Sequence, residues 1–301
     1  MIRVASIDIG TNSTRLLVAD VADGALSELD RRLAITRLGD RVDSTGHLHD
    51  ASMERVHERV AEYAAAARAL GAGRILATAT SAVRDAANGG EFLHEIERRH
   101  GIETRLLSGD EEARTTFAGV TSAHPVSGEV LVCDIGGGST ELLQGGPDGV
   151  HRAVSLDMGC VRMSERFLAS DPPRSDELDR LRGQVRSMLP GWPAGELIGV
   201  AGTVTTLATI DLGLDDEVPE LIDGHRLARM VAERQLTRLA GMTLAQRRQV
   251  RGLMPARAPT IVAGTAILCE VMGAAGADEL TVSERDILHG AALLAAGHTS
   301  D

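Results

Sequence analysis

Residues 8–18 read DIGTNSTRLLV, and residues 134–144 read DIGGGSTELLQ. Asp, Ile, Gly, Ser, Thr, Leu and Leu coincide in register, and each copy lies between two apolar runs. That pattern describes a strand, a tight glycine turn and a second strand, whose tip presents backbone N–H groups and hydroxyls to an anion. Glycine there lets the backbone approach phosphate oxygens with no Cβ in the way. The candidate phosphate donors are Gly10, Thr11, Asn12 and Ser13 in the first copy, and Gly136, Gly137, Gly138, Ser139 and Thr140 in the second. Asp8 and Asp134 open the copies at a strand end, where a carboxylate can hold a divalent cation or its waters. Magnesium typically takes one or two carboxylates plus phosphate. Either loop alone reads equally well as an ordinary hairpin turn; two copies in register favour the anion reading, and two cradles suit a phosphate-rich ligand.

Two such hairpins imply two similar domains, not a short-period solenoid. The flanking patterns are α/β. In the first half, strands are expected near 3–9, 14–21, 26–36, 74–80 and 103–107, with helices near 51–70, 89–100 and 109–122. Val56, Val60, Ala64 and Ala67 recur at helical spacing in the first of these helices. His124-Pro125-Val126-Ser127-Gly128 interrupts both periodicities, so the expected domains are 1–124 and 125–301. The second half predicts strands near 129–135, 139–145, 150–157, 197–201 and 279–283. Its helices are expected near 160–168, 175–188, 203–211, 224–239, 243–252, 257–274 and 285–296, with Ser175 as an N-cap.

Composition narrows the class. The chain has 301 residues, 43% hydrophobic and 25% charged, as in a soluble protein of two ordinary domains. No apolar stretch approaches the ~20 residues of a membrane span, and the N-terminus has no signal-peptide core. Cys133, Cys160 and Cys269 are odd in number and widely spaced, which suggests neither a disulfide framework nor a zinc site and points to a reduced cytoplasm. A net charge of −12 argues against a dedicated nucleic-acid binder. There is no lysine, so all 31 basic side chains are arginine and a Walker P-loop is excluded. Any phosphate clamp must use arginine and backbone N–H groups, and arginine suits bidentate phosphate contacts. There is no HExxH, no GxSxG elbow and no GxGxxG, and His47-Leu-His49 reads as a loop. The pairs Arg31-Arg32, Arg98-Arg99 and Arg247-Arg248 read as solvated faces, and Glu141 reads equally as a surface strand residue.

Further segments carry a resemblance. DIGTNS near the N-terminus, TATSAVRDA at 78–86, SGDEEA at 108–113, DIGGGSTEL at 134–142 and SLDMGCVRMSERF at 155–167 resemble the Ppx/GppA phosphatase family. AGT at 201–203 and RAPTIVAGTAIL at 257–268 are similar to its later motifs. The matches lie in order along nearly the whole chain. The resemblance implies a duplicated actin-like fold of the ribonuclease H-like, sugar kinase/Hsp70/actin superfamily, with the active site between two domains. It also implies magnesium-dependent hydrolysis of terminal phosphates from inorganic polyphosphate or guanosine pentaphosphate, and a homodimer. By motif, Glu112 resembles the glutamate that positions and deprotonates the attacking water, and Arg84 the arginine that reaches the scissile phosphate. Asp134 is the first choice for magnesium and Asp8 the second. Ser108-Gly-Asp-Glu111 is a capping-box pattern, so Glu111 has a structural task while Glu112 points about 100° around the helix. Arg37, in TRLGDRVDSTGHL, is a weaker candidate for substrate contact.

Departures from the family bear on substrate. The helical C-terminal extension of longer members is not in the sequence, which puts prolonged action on very long polymers in doubt. Ile287-Leu288-His289-Gly290 stands where members often read LREG, and Ala263-Gly264 where a glycine pair is common. Three readings follow: an exophosphatase, an actin-like ATP-dependent kinase or ATPase, and a sensor that binds guanosine tetra- or pentaphosphate. SGDEEA and TSAVRDA favour the first. Polyphosphate is preferred over guanosine pentaphosphate because aromatics make up 2% of the chain, with the single Trp192, so a base-stacking platform is scarce.

Overall fold

The computed structural model describes residues 1–123 and 126–298, which fall into two units, one of 1–123 with 285–298 and the other of 126–284. The first begins with β1 (Ile2–Ile9), β2 (Ser13–Ala22) and β3 (Ala25–Ile35), then α1 (Val42–Thr45), α2 (Asp50–Ala69) and β4 (Arg74–Ala79). Next come α3 (Ser81–Asp85), α4 (Gly89–His100), β5 (Glu103–Leu106) and α5 (Gly109–Thr121). The second holds β6 (Val130–Ile135), β7 (Thr140–Gly146), β8 (Gly149–Leu156), α6 (Cys160–Phe167), α7 (Ser175–Met188), β9 (Glu196–Val200) and α8 (Ala201–Asp211). It continues through α9 (Pro219–Ile222), β10 (Arg226–Ala228), α10 (Arg229–Ala240), α11 (Leu244–Arg247), α12 (Ile261–Ala274) and β11 (Glu279–Val282), and α13 (Ile287–Ala295) closes the chain.

The two sheets repeat one design. The first runs β3-β2-β1-β4-β5, and the second β8-β7-β6-β9-β11 with β10 added at its edge. In each, the opening three strands form an antiparallel meander and the next two join in parallel. This is the actin-like, ribonuclease H-like order that the resemblance implied. Parallel strands buried on both faces read as continuous apolar runs. Along β1, Ala5, Ile7 and Ile9 enter a core with α2 and α4, and Val4 enters a second cluster with Leu288, Ala292, Leu293 and Ala295.

That second cluster corrects the expected boundary. The segment from Arg285 belongs to the first unit, not to a domain of 125–301. α13 is apolar nearly all round and covers the sheet face that α2 and α4 leave bare, and Ser6 Oγ donates to Leu288 O at 2.7 Å. His124 and Pro125, the expected division point, lie outside the described residues. A Cβ at Gly290 would land on Thr115 O and one at Gly119 on Asp286 O, so two glycines let α5 and α13 pack backbone to backbone.

Most expected elements appear within one or two residues, and the misses have local causes. The helix expected near 224–239 begins only at Arg229, because Arg226–Ala228 pairs with β11 as an edge strand. The one near 257–274 begins at Ile261, since Pro259 disfavours helix at the residue before it. The helix near 243–252 shrinks to Leu244–Arg247. Ser175 is already helical; the extended residue before α7 is Arg174, whose N–H is met by the Glu177 carboxylate at 2.9 Å. The short helices α1, α3 and α9 were not anticipated. No helix of the described residues is long and apolar enough to cross a membrane.

Candidate active site

In the first unit, three motifs meet through side chains. Thr11, at the tip of the first loop, shares a hydrogen bond of 2.9 Å with Ser81 Oγ at the start of α3. One helical turn on, Arg84 Nη1 donates to Glu112 Oε2 at 3.0 Å and to Leu107 O at 2.9 Å. Ser81 and Arg84 are three residues apart on α3 and so share a face. That short helix links the loop to the base candidate. Sequence reasoning missed Ser81, although it lies inside TATSAVRDA.

Glu112 is 7% exposed at the start of α5. Glu111 has the capping task expected of it. Glu111 accepts the Ser108 N–H at 2.9 Å, the Ser108 Oγ receives the Glu111 N–H, and Arg105 adds an ion pair at 2.6 Å. The Ser108 N–H first, then Arg105, hold the Glu111 carboxyl down to about 2. Arg84 keeps its Nε and Nη2 hydrogens without an acceptor among the described residues, so its fork can reach an anion.

The two loops are held by one device. The Gly39 N–H donates to Thr11 O at 2.8 Å, and the Thr36 and Arg37 N–H groups donate to Asn12 O at 3.1 and 2.9 Å. In the second unit, Gly159 N–H donates to Gly138 O at 3.0 Å, Cys160 N–H to Gly136 O at 2.9 Å, and Val161 N–H to Gly137 O at 2.8 Å. Arg162 Nε adds a bond to Gly138 O at 2.7 Å. Because a peptide is planar and trans, pinning each carbonyl on one side aims the next N–H to the other. The N–H groups of Asn12, Gly137, Gly138 and Ser139 find no acceptor among the described residues. Consecutive N–H groups left so, as at Gly137, Gly138 and Ser139, can make an anion nest.

The pinning segments therefore extend the repeat. Gly39 follows Leu38, and Gly159 follows Met158. A Cβ on Gly39 would land on the Thr11 side chain, and one on Gly159 on the Gly137 carbonyl and Gly138 N, so only glycine seats against either loop. The signal in sequence was an apolar residue and glycine soon after the third strand of each half. It went unread because the loops they meet lie far off in the chain.

Thr140 corrects one expectation. It is fully buried and its Oγ1 donates to Met158 O at 2.8 Å, just as Thr14 bonds Thr36 at 3.0 Å, so both threonines fasten the hairpin. The side chains of Asn12, Ser13 and Ser139 make no such bond among the described residues. Gly10 and Gly136 each close their turn by donating to Ser13 O and Ser139 O at 3.0 Å. Arg37 takes a left-handed backbone, φ 51°.

The paired acids differ between copies. Asp8 faces Arg15 across the β1–β2 ladder and accepts its Nη2 and Nε at 2.7 and 3.0 Å, and Arg15 also binds Asp286. Burial pushes the Asp8 carboxyl up against the pull of Arg15. Burial also opposes the charge on Asp286, yet Arg15 and His289 hold its carboxyl well below the usual range. In the second copy the residue across from Asp134 is Glu141, which is 1% exposed and accepts Ser155 Oγ at 2.6 Å, so it is no surface residue. Like charges directly across a ladder repel. A divalent cation at Asp134 would add positive charge beside two acids, whereas Asp8 already has Arg15. No cluster of three or more His, Cys, Asp or Glu side chains that could hold a metal ion exists among the described residues.

The model of the Ppx/GppA phosphatase family matches residues 17–295. Exopolyphosphatase 2 of Mycobacterium tuberculosis is 37% identical, over 98% of this chain and 99% of that protein. Among solved structures, an exopolyphosphatase-like protein aligns with a TM-score of 0.92 at 34% identity, covering 97% of each chain. The Aquifex aeolicus member of the Ppx/GppA family aligns at 0.84 and 31% identity, covering 99% of each.

Proposed function

The chain belongs to the Ppx/GppA phosphatase family, and within it we propose an exopolyphosphatase that hydrolyses the terminal phosphoanhydride of inorganic polyphosphate. The observation that carries this reading is the pair of loops with pinned carbonyls, which leave the N–H groups of Asn12, Gly137, Gly138 and Ser139 without an acceptor among the described residues. Glu112 takes a proton from water, the hydroxyl oxygen bonds to the terminal phosphorus, and the bridging P–O bond breaks. Inorganic phosphate and a chain shorter by one unit leave. Arg84 turns its remaining N–H groups to the phosphoryl oxygens as charge shifts toward the leaving oxygen. The amides of Asn12, Gly137, Gly138 and Ser139 bind phosphate oxygens, with hydroxyls from Ser13 and Ser139. Magnesium, held at Asp134 first and Asp8 second, supplies charge neutralisation when bound.

The aromatic side chains support polyphosphate over a guanosine nucleotide. Tyr63, Phe92 and Phe117 are buried, Phe167 packs on the core, and the ring of Trp192 is covered by Arg152 at 5.9 Å. Three of the five rings are buried and the other two are partly covered, which leaves little aromatic surface for stacking a base. The test is phosphate release with magnesium by the native enzyme and Glu112→Ala on short polyphosphate, long polyphosphate, guanosine pentaphosphate and ATP. The expected result is release from polyphosphate and a loss of at least about 10²-fold in Glu112→Ala. Release from guanosine pentaphosphate alone would move the activity to that substrate, and nucleotide binding without release would make the protein a sensor. An unimpaired Glu112→Ala would remove Glu112 from the mechanism.

A further inference from the structure

The two loops are pinned alike by backbone amides, but among the described residues only the second has a side chain donating to one of its carbonyls. The first loop carries Thr11 and Asn12 where the second has Gly137 and Gly138. Three consecutive glycines leave the second loop with far more backbone freedom than the first, so its peptides depend more on having their carbonyls held. Arg162 Nε donates to the carbonyl of that same peptide at 2.7 Å. Its side chain is 11% exposed and lies 3.9 Å from Asp157. A charged donor makes the stronger and shorter bond, and the planar fork holds its direction.

We propose that Arg162 is a positioning residue for phosphate transfer: by pinning the Gly138 carbonyl it keeps the Ser139 N–H aimed at a phosphoryl oxygen. This rests on the phosphatase reading for its effect on rate, but not for its effect on the peptide. Gly136 O and Gly137 O are held by backbone amides alone, so the N–H groups of Gly137 and Gly138 do not depend on the arginine. The glycine-rich copy is thus the one that needs, and has, a side-chain fastener.

The experiment compares native protein, Arg162→Ala and Arg162→Lys. Amide ¹H–¹⁵N resonances of Gly137, Gly138 and Ser139 are followed while inorganic tripolyphosphate is added, with and without magnesium, and phosphate release is measured alongside. All three amides are expected to shift in the native protein. In Arg162→Ala, where only the Gly159 N–H still holds the Gly138 carbonyl, the Ser139 response is expected to fall at least severalfold while that of Gly137 persists. Its kcat/KM on short polyphosphate is expected to fall about 10- to 100-fold, mainly in kcat, since removing an oxyanion donor outright costs about 10²–10³. Arg162→Lys, which keeps a cationic donor, is expected to recover part of both, and it carries the comparison if Arg162→Ala does not fold. An unchanged Ser139 response, or kcat/KM within twofold of native, overturns the proposal. If the native protein is inert on polyphosphate, the functional reading fails, and the Ser139 response still decides the role of Arg162. No response at any of the three amides removes both.

Discussion

Replacing Gly159 with alanine places a methyl group against the backbone of the second glycine loop. An ideal Cβ there would clash with the Gly137 carbonyl and Gly138 N, and backbone cannot swing aside as a flexible side chain can. Either α6 or the loop must move. Overpacking of this kind costs about 1–3 kcal/mol, and displacing a binding group by about 1 Å costs on the order of 10² in rate. Gly39→Ala is the matched control in the other copy. Its Cβ meets the Thr11 side chain, which can turn about χ1 if it gives up the 2.9 Å bond to Ser81. That bond contributes about 1 kcal/mol. We therefore expect Gly159→Ala to lose about 2 kcal/mol and about 10²-fold in kcat/KM on short polyphosphate. Gly39→Ala should lose about 1 kcal/mol and roughly tenfold. Urea midpoints with unchanged m-values and steady-state phosphate release measure the two. The reasoning is refuted if Gly159→Ala stays within twofold of native, or if Gly39→Ala proves the more damaging.

Other positions test the fold. Gly183 lies inside α7 with open space where a Cβ would go, so Gly183→Ala should gain about 0.8–1 kcal/mol in urea; a loss would reveal a contact that the structure lacks. Ala201 opens α8 in a left-handed conformation, φ 68°, which costs a non-glycine residue about 1–2 kcal/mol. Ala201→Gly should recover about 0.5–1 kcal/mol of it after the added freedom of the unfolded chain, and a lower melting midpoint would contradict that. His57 Nδ1 and His100 Nε2 lie 3.1 Å apart and share one proton, and burial lowers both imidazoles below their ordinary 6.5. The unfolded chain then takes up protons first, so stability falls as pH drops below 6.5 toward the folded values. His57→Phe should flatten the pH dependence of the urea midpoint below pH 6.5, and an unchanged slope would assign the dependence elsewhere.

What the sequence by itself determined was whatever repeats or caps locally. The duplicated DIG hairpin, the helical spacing of Val56, Val60 and Ala64, and the Ser108–Glu111 capping box were legible because they depend on neighbours within a turn or a ladder step. Tertiary structure decided which distant groups met. Arg84 and Glu112 are 28 positions apart and are joined through α3, a helix of five residues that is too short for a periodic signal. The ladder register is the same in both copies, so Asp8–Arg15 and Asp134–Glu141 diverge because the residue facing the Asp is Arg in one and Glu in the other, a pairing evident only once the ladder partners are known. α13 joins the first unit because one face of that sheet lacks cover, a demand set by packing and invisible in the helix's own apolar pattern. The hydroxyl of Thr140 is consumed by Met158 O, and Gly39 and Gly159 are small because of loops far off in the chain. Periodicity shows which face of an element is apolar, whereas a binding site depends on which polar atoms remain unspent after packing, and only folded coordinates account for those.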